Sequence, residues 1–179
     1  MADIEYEAKA LDIDPEDIAR RILAAGGAEA APQRIMRRYV YDTVPASPGR
    51  WMRLRDTGDG VTLCVKEITT DAVDGTRETE VTVGDFTEAA ALLQLAGLTP
   101  RGYQENRRTS YTLGAVRLEI DEWPLIPPYL EIEGDDETQV WEAAAALGLA
   151  RDRLTSVNTT KVYRLYGYDL DAIADLRFE

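Results

Sequence analysis

Apolar and charged residues alternate with a period of two along the first segment of the chain. Residues 4–9 place Glu5, Glu7 and Lys9 on one face of an extended strand, and apolar or small residues on the other. The same alternation recurs at residues 51–55, 62–66, 78–83, 116–121 and 129–133. The pattern therefore predicts a sheet whose strands each have a charged face and an apolar face.

Turn and capping signals divide the chain into short elements. Asp14-Pro15 predicts the start of a helix that covers Ile18–Ala25 and stops at Gly26-Gly27. The predicted strands are 34–42, 51–56, 61–68, 76–83, 103–112, 115–122 and 129–133, with further helices at 85–96 and 137–147 and a partly helical tail at 156–176. Because short turns join consecutive strands, we expect an α+β protein with a mainly antiparallel sheet.

The charged faces are segregated by sign. The polar face of one strand carries Arg53 and Arg55, whereas that of another carries Glu131 and Glu133. For a single strand we favour the ordinary interpretation, in which the charged face meets water. Across all the strands such segregation is costly, unless opposite signs face each other or face ligands. If the helices cover the apolar side and the sheet curls, the charged faces line the interior of a barrel.

Composition narrows the possible functions. The 179 residues include 20 basic and 33 acidic side chains, a formal net charge of -13. This field repels nucleic acids and anionic membranes, and we expect neither as a partner. The absence of histidine excludes Ser-His-Asp and Cys-His catalysis and histidine zinc sites. A single cysteine, Cys64, and the lack of a transmembrane-length apolar run or a signal peptide predict a soluble, cytoplasmic protein.

The charged motifs, taken in order, resemble the CYTH family, also called triphosphate tunnel metalloenzymes. Glu5-x-Glu7-x-Lys9 matches the family's ExExK signature at its usual place. The other matching elements are Tyr41-Asp42-Thr43, Arg53-Leu54-Arg55, Thr62-Leu63-Cys64-Val65-Lys66, Arg77-Glu78-Thr79-Glu80, Arg107-Arg108 with Tyr111, Ile120-Asp121-Glu122 and Glu131-Ile132-Glu133. The resemblance covers nearly the whole chain, and we expect a single CYTH domain over residues 1–179.

The resemblance implies an antiparallel eight-stranded β-barrel tunnel with helices packed on the outside, and it assigns roles by position. The implied triphosphate-binding cations are Lys9, Arg53, Arg55, Lys66, Arg108 and, on a looser match, Lys161. The implied ligands of Mg²⁺ or Mn²⁺ are Glu5, Glu7, Glu131 and Glu133, supported by Asp121, Glu78, Glu80 and Glu119. Glu5, Glu7 and Lys9 are the candidate catalytic residues. Guanidinium forks suit phosphate oxygens and hard cations prefer carboxylates, so the chemistry agrees with these roles.

Two residues depart from the family pattern. Arg38 stands where thiamine triphosphatases carry an acid, and Asn106 where many members have a lysine. Arg38 shares a strand face with Val40 and Asp42, so it either adds a phosphate contact or replaces a carboxylate contact. The alternative is that Arg37 and Arg38 form a solvated pair at a sheet edge. Both departures weigh against a fixed specificity for thiamine triphosphate.

Three functions follow from the resemblance. The leading one is metal-dependent hydrolysis of inorganic triphosphate or of a small-molecule triphosphate such as ATP or thiamine triphosphate. The second is a class IV adenylate cyclase, which makes cyclic AMP and pyrophosphate from ATP. The third is a non-catalytic module that binds polyphosphate or nucleotide triphosphate. The sequence leaves the general base open among a second metal, a lumen carboxylate and a lysine. It also leaves the oligomeric state open, with a homodimer as one possibility.

Overall fold

The computed structural model describes residues 3–179, which form a barrel of long strands with helices around it. The strands are β1 Asp3–Ala10, β2 Ala28–Asp42, β3 Arg50–Asp56, β4 Val61–Ile68, β5 Thr76–Val83, β6 Pro100–Leu113, β7 Val116–Trp123, β8 Ile126–Gly134, β9 Leu154–Thr155 and β10 Asp175–Leu176. The helices are α1 Pro15–Ala24, α2 Phe86–Leu95, α3 Glu137–Ala146 and α4 Thr159–Leu165, with 3₁₀ turns at Arg151–Arg153 and Leu170–Ala172.

Strands β1 to β8 close on themselves. The order runs β6, β2, β3, β4, β5, β1, β8, β7, and β7 pairs again with β6. Each of these pairings is antiparallel. The predicted antiparallel eight-stranded barrel is therefore confirmed. Because it is closed, its eight strands leave no full-length edge for pairing with another chain.

Two very short strands are added at the ends of the barrel. The pairing of β1 with β5 covers Asp3 to Glu5 and then ends. Further along β1, Lys9 and Ala10 pair with β9, which takes the place of β5 beside β1. β10 pairs with β6 in the parallel direction, which is the exception to the antiparallel rule. The tail of the chain is in this way attached to the barrel at both points.

The helices cover the apolar faces of the strands. α1 and α3 pack on β1, β7 and β8 around buried residues such as Ile22, Leu118 and Val140. α2 packs Phe86 and Leu93 against β2 and β3. α4 and the following 3₁₀ turn differ, since they pack around Trp123, a residue that lines the lumen. The apolar faces thus point outward to the helices, and the charged faces are left to point inward.

Three strands begin at least three residues earlier than the sequence predicts, and one of them is β6, which starts at Pro100 instead of residue 103. β2 starts at Ala28 instead of residue 34, and its first part pairs with β6 through register shifts between Glu29 and Arg34. This part contains Pro32 and does not alternate, so period-two patterning misses it. β8 starts at Ile126 because Trp123 and Ile126 are joined by a tight turn in which Leu125 has a φ of 72°. Within residues 3–179, the helices are all too short or too polar to cross a bilayer.

A charged tunnel as the candidate functional site

The barrel encloses a cavity of about 800 Å³, lined by residues of all eight long strands. All of the residues that the sequence predicts for the site line this cavity. Basic and acidic side chains line it in nearly equal number, although the whole chain carries a net charge of -13. The acidic excess therefore lies outside the lumen, and a locally cationic surface can exist inside an acidic protein.

Lys9 of β1 is a buried ammonium held between two carboxylates. Its Nζ donates to Oε1 of Glu7 at 2.9 Å and lies 3.4 Å from Oε2 of Glu131. Burial opposes the charged form, but the two carboxylates raise the pKa of Lys9 above its ordinary value. Lys9 consequently stays protonated near neutral pH, which suits a charge partner and not a general base.

Arg108 of β6 is paired in a similar way across the β6–β7 contact. Its Nε and Nη2 donate to the two oxygens of Asp121 at 2.7 and 2.6 Å, a bidentate fork. Asp121 is fully buried and also accepts from Nδ2 of Asn106 at 2.9 Å. We call Lys9 and Arg108, with Glu7, Asp121 and Glu131, the paired wall of the lumen.

Lys66 connects this region to β5. Its Nζ donates to both oxygens of Glu5, at 2.8 and 2.7 Å, and lies 3.1 Å from Glu78. Burial and a hydrogen bond with Glu78 raise the pKa of Glu5 to about 8. Burial opposes the shift of Glu78, but the hydrogen bond with Glu5 and the charges of Lys66 and Arg53 hold its pKa well below the usual range. The pKa values of the two carboxyl groups are thus shifted in opposite directions, upward for Glu5 and downward for Glu78.

Three arginines on β2 and β3, Arg38, Arg53 and Arg55, form what we call the arginine wall. Arg53 donates to Glu78 at 3.0 Å and to Glu80 at 3.4 Å, and Arg55 lies 3.6 Å from Glu80. In all three side chains Nε is buried and has no hydrogen-bond partner. Since protein interiors rarely leave buried donors unpaired, these atoms indicate a surface built for an acceptor.

Electrostatics leads to the same conclusion for two of these arginines. Burial and the charges of Arg53 and Arg55 lower the pKa of Arg38 to about 9. Burial and the charges of Arg53 and Arg108 lower the pKa of Arg55 to about 10. A guanidinium ordinarily keeps its proton at any physiological pH, so these shifts express uncompensated positive charge. An anion in the lumen would relieve it.

The carboxylates of the lumen fit a divalent cation. Burial and nearby carboxylates raise the pKa values of Glu119 and Glu133. Oε2 of Glu119 is buried and has no hydrogen-bond partner. Crowded hard oxygen donors of this kind suit Mg²⁺ or Mn²⁺. A second group lies close together on β4 and β5, where ligand atoms of Cys64, Glu78 and Glu80 fall within 4.8 Å of one another. Burial raises the pKa of Cys64 to about 11, so its thiol stays protonated and is a poor ligand there.

Arg37 and Arg38 point in opposite directions. Arg37 is exposed, lies over Phe86 and pairs with Asp56 at 3.0 Å. Arg38 is 7% exposed and lines the lumen. The solvated pair at a sheet edge, which the sequence left as an alternative, is therefore wrong: only Arg37 is exposed, and β2 pairs at this position with both β3 and β6. Lys161 lies on α4, where it lines the cavity and pairs with Asp71 while its side chain remains 42% exposed.

Sequence reasoning did not assign a site role to Asn106, Trp123 or Tyr129. Nδ2 of Asn106 donates to Asp121, and Nη2 of Arg38 donates to Oδ1 of Asn106. Trp123 and Tyr129 line the cavity, and the indole Nε1 and phenol oxygen are buried without partners. A signal existed for Tyr129, which shares the alternating face of Glu131 and Glu133. Nothing in the pattern marks Asn106 as the link between Arg38 and Asp121.

Fold and lumen together define a tunnel protein, a closed antiparallel barrel whose interior presents both signs of charge. Solved structures with this fold include PH1012 of Pyrococcus horikoshii, 22% identical at a TM-score of 0.74 over 87% of this chain and 96% of that one. A candidate adenylate cyclase of Vibrio parahaemolyticus is 13% identical, with a TM-score of 0.76 over 92% and 99%. HpAC1 of Hippeastrum, a candidate adenylyl cyclase with a dominant triphosphatase activity, is 15% identical, with a TM-score of 0.58 over 92% and 96%.

The TM-scores establish a shared fold. The family itself comes from the sequence model of the CYTH domain, which matches residues 3–166. The chain belongs to the CYTH family. A search among curated proteins finds no match.

Proposed function

We propose that the tunnel binds a triphosphate and hydrolyses it with Mg²⁺ or Mn²⁺. The observation that carries this proposal is the arginine wall, whose three buried Nε donors lack partners and face a lumen that also holds carboxylates. Guanidinium groups recognise phosphate oxygens, and adjacent carboxylates recognise the cation that accompanies a polyphosphate. The substrates to consider are inorganic triphosphate and small molecules that end in a triphosphate, such as ATP or thiamine triphosphate.

Glu5, Glu7, Glu131 and Glu133 are the residues that would hold the cation, with Asp121, Glu78, Glu80 and Glu119 near them. A bound divalent cation supplies a Lewis acid that offsets charge on the phosphoryl oxygens. Burial, together with neighbouring carboxylates, raises the pKa values of Glu5, Glu119 and Glu133, and a bound cation would offset both causes, which supports this assignment.

The chain's own residues position the phosphates and exclude water. Arg53, Arg55 and Arg108, with Lys9 and Lys66, would fix the phosphoryl groups along the lumen from opposite walls. Such fixed cations act most strongly in a dry, enclosed site, where screening is weak. Lys9 remains protonated, so the proton of the attacking water needs another acceptor. Oε2 of Glu119, which has no hydrogen bond and lies 4.0 Å from Nε of Arg108, is an available one.

The test is phosphate release from triphosphate, ATP and thiamine triphosphate with Mg²⁺, with Mn²⁺ and with a chelator. We expect turnover that depends on metal, and a loss of at least about 100-fold in the double variant Glu5→Ala, Glu7→Ala. Glu142→Ala on the exposed face of α3 is the matched control and should behave as wild type. Phosphate release that survives both chelation and the double variant would contradict the mechanism.

The same assays separate the two other functions. Cyclic AMP formed from ATP in place of free phosphate would identify a cyclase. Thermal stabilisation by triphosphate without turnover under either metal would identify a binding module. Either result would leave the anion-binding role of the arginine wall intact and would replace the hydrolytic step.

A further inference from the structure

Arg38 is a buried cation that lacks a countercharge. Within residues 3–179, no carboxylate lies within 4.0 Å of its guanidinium, whereas Arg53 pairs with two glutamates at 3.0 and 3.4 Å. Its one hydrogen bond goes to the amide oxygen of Asn106, and Nε has no partner. A buried charge without a partner is strongly unfavourable. Its retention in a packed barrel points to a partner that arrives from solution.

The position of Arg38 is fixed by two contacts. Asn106, which is fully buried, accepts from Arg38 and donates to Asp121 of the paired wall. The guanidinium carbon of Arg38 also lies 4.6 Å from the ring centre of Trp123. The indole face that an aromatic ligand would need for stacking is therefore covered by a cation. Tyr163 packs against the same indole in a T-shaped arrangement, at 6.1 Å between ring centres and 84° between planes.

Two further donors without hydrogen-bond partners belong to residues that line the same cavity as Arg38. Nε of Arg38, Nε1 of Trp123 and the hydroxyl of Tyr129 are all buried without hydrogen-bond partners, and they come from three strands, β2, β7 and β8. All three residues line the cavity. A phosphoryl group offers acceptor oxygens and negative charge, so it suits the guanidinium of Arg38 and can accept hydrogen bonds from donors of this kind. A nucleobase or thiazolium ring offers few acceptors and would have to displace Arg38 to stack.

We propose that Arg38 is a specificity-determining residue that selects a phosphoryl group, in place of an aromatic or sugar group, at this position of the tunnel. The inference rests on the proposed function and narrows its substrate class. Chains that are anionic throughout, inorganic triphosphate and longer linear polyphosphates, are preferred over triphosphates that carry an organic group.

The test compares kcat/KM for inorganic triphosphate, inorganic tetraphosphate, ATP and thiamine triphosphate. We expect the wild type to prefer the two inorganic chains. Arg38→Met keeps the length of the side chain but removes its charge, and should lower kcat/KM for both inorganic chains by about tenfold or more. The values of kcat/KM for ATP and thiamine triphosphate should change by less than about threefold, so the preference for the inorganic chains shrinks.

Arg38→Lys keeps a cation at this position and should retain most of the preference for the inorganic chains. Arg37→Met removes the neighbouring outward arginine and should match wild type.

An equal loss on all four substrates, or no loss, would overturn the inference and leave the hydrolase proposal standing. A binding measurement tests the inference in the case where the hydrolase proposal fails. If nothing is hydrolysed, the rise in Tm on adding triphosphate under chelation should still be smaller in Arg38→Met than in Arg37→Met, while any rise with ATP stays equal. Arg38→Met should fold, since within residues 3–179 the charge it removes has no carboxylate partner, and Arg38→Lys provides a second variant with the same readout.

Discussion

The two walls of the lumen carry the same kinds of cation but satisfy them differently. On the paired wall, Arg108 is locked to Asp121 by two hydrogen bonds and Lys9 is held by two glutamates. On the arginine wall, Arg38, Arg53 and Arg55 each keep a buried Nε without a partner. The carboxylates of the paired wall hold their cations in place and so also support the fold, whereas each arginine of the arginine wall, including Arg53 with its two glutamates, still has an Nε hydrogen bond to give to a ligand. Cations of the same type are therefore held in two different ways within one barrel.

The largest effect should come from breaking the paired wall. Asp121→Ala leaves Arg108 buried without its carboxylate and removes the acceptor of Asn106, so we expect a loss of about 3–5 kcal/mol in the free energy of unfolding. Urea denaturation measures it. Asp42→Ala, which removes an exposed partner of Arg101, is the control and should cost little. Comparable losses in the two variants would show that Asp121 does not support the fold.

Removing a cation from the arginine wall should weaken ligand binding and leave the free energy of unfolding nearly unchanged. Arg55→Met removes a guanidinium whose pKa is lowered by burial and neighbouring arginines, so the free energy of unfolding should stay constant or rise slightly. Affinity for triphosphate should fall by about tenfold to 100-fold, because a charge-assisted hydrogen bond is lost. Titration calorimetry and urea denaturation on the same protein check both parts. A large loss of stability with unchanged affinity would place Arg55 with the paired wall.

A smaller effect should follow when the Arg108 pair is replaced as a unit. Arg108→Met with Asp121→Leu removes both charges together, and apolar replacements of buried ion pairs are often close to neutral. We expect the double variant to regain most of the stability that Asp121→Ala loses. Asn106 still lacks its acceptor there, so recovery should be incomplete. A double variant no more stable than Asp121→Ala would contradict this account of the paired wall.

The smallest effect is expected at the rim. Lys161 pairs with Asp71 while 42% of its side chain remains exposed, and exposed ion pairs contribute little. Lys161→Met should change the free energy of unfolding by less than about 0.5 kcal/mol. It should change kcat/KM for triphosphate by less than about threefold. A loss as large as that of Arg55→Met would move Lys161 into the binding set.

Much of the barrel could be predicted because alternation is a local property of each strand. Glu5, Glu7 and Lys9 reach the lumen because every second side chain of β1 must point the same way. Pairing choices inside the lumen are not local. Whether Arg53 meets Glu78, or Arg38 meets Asn106, depends on barrel register and tilt, which short-range pattern does not encode. For the same reason the contrast between the two walls became visible only in three dimensions.

The strict alternation of the strands also bears on how the barrel assembles. β1 and β8 pair with Lys9 opposite Glu131, and Ala8 and Ala10 pack against the helices. If β1 slipped by one residue, Glu5, Glu7 and Lys9 would turn into the apolar layer beneath α1 and α3, where charges are strongly unfavourable. The residues that line the lumen thereby disfavour, during folding, each pairing that is misaligned by an odd number of residues, because it would bury them in the apolar layer.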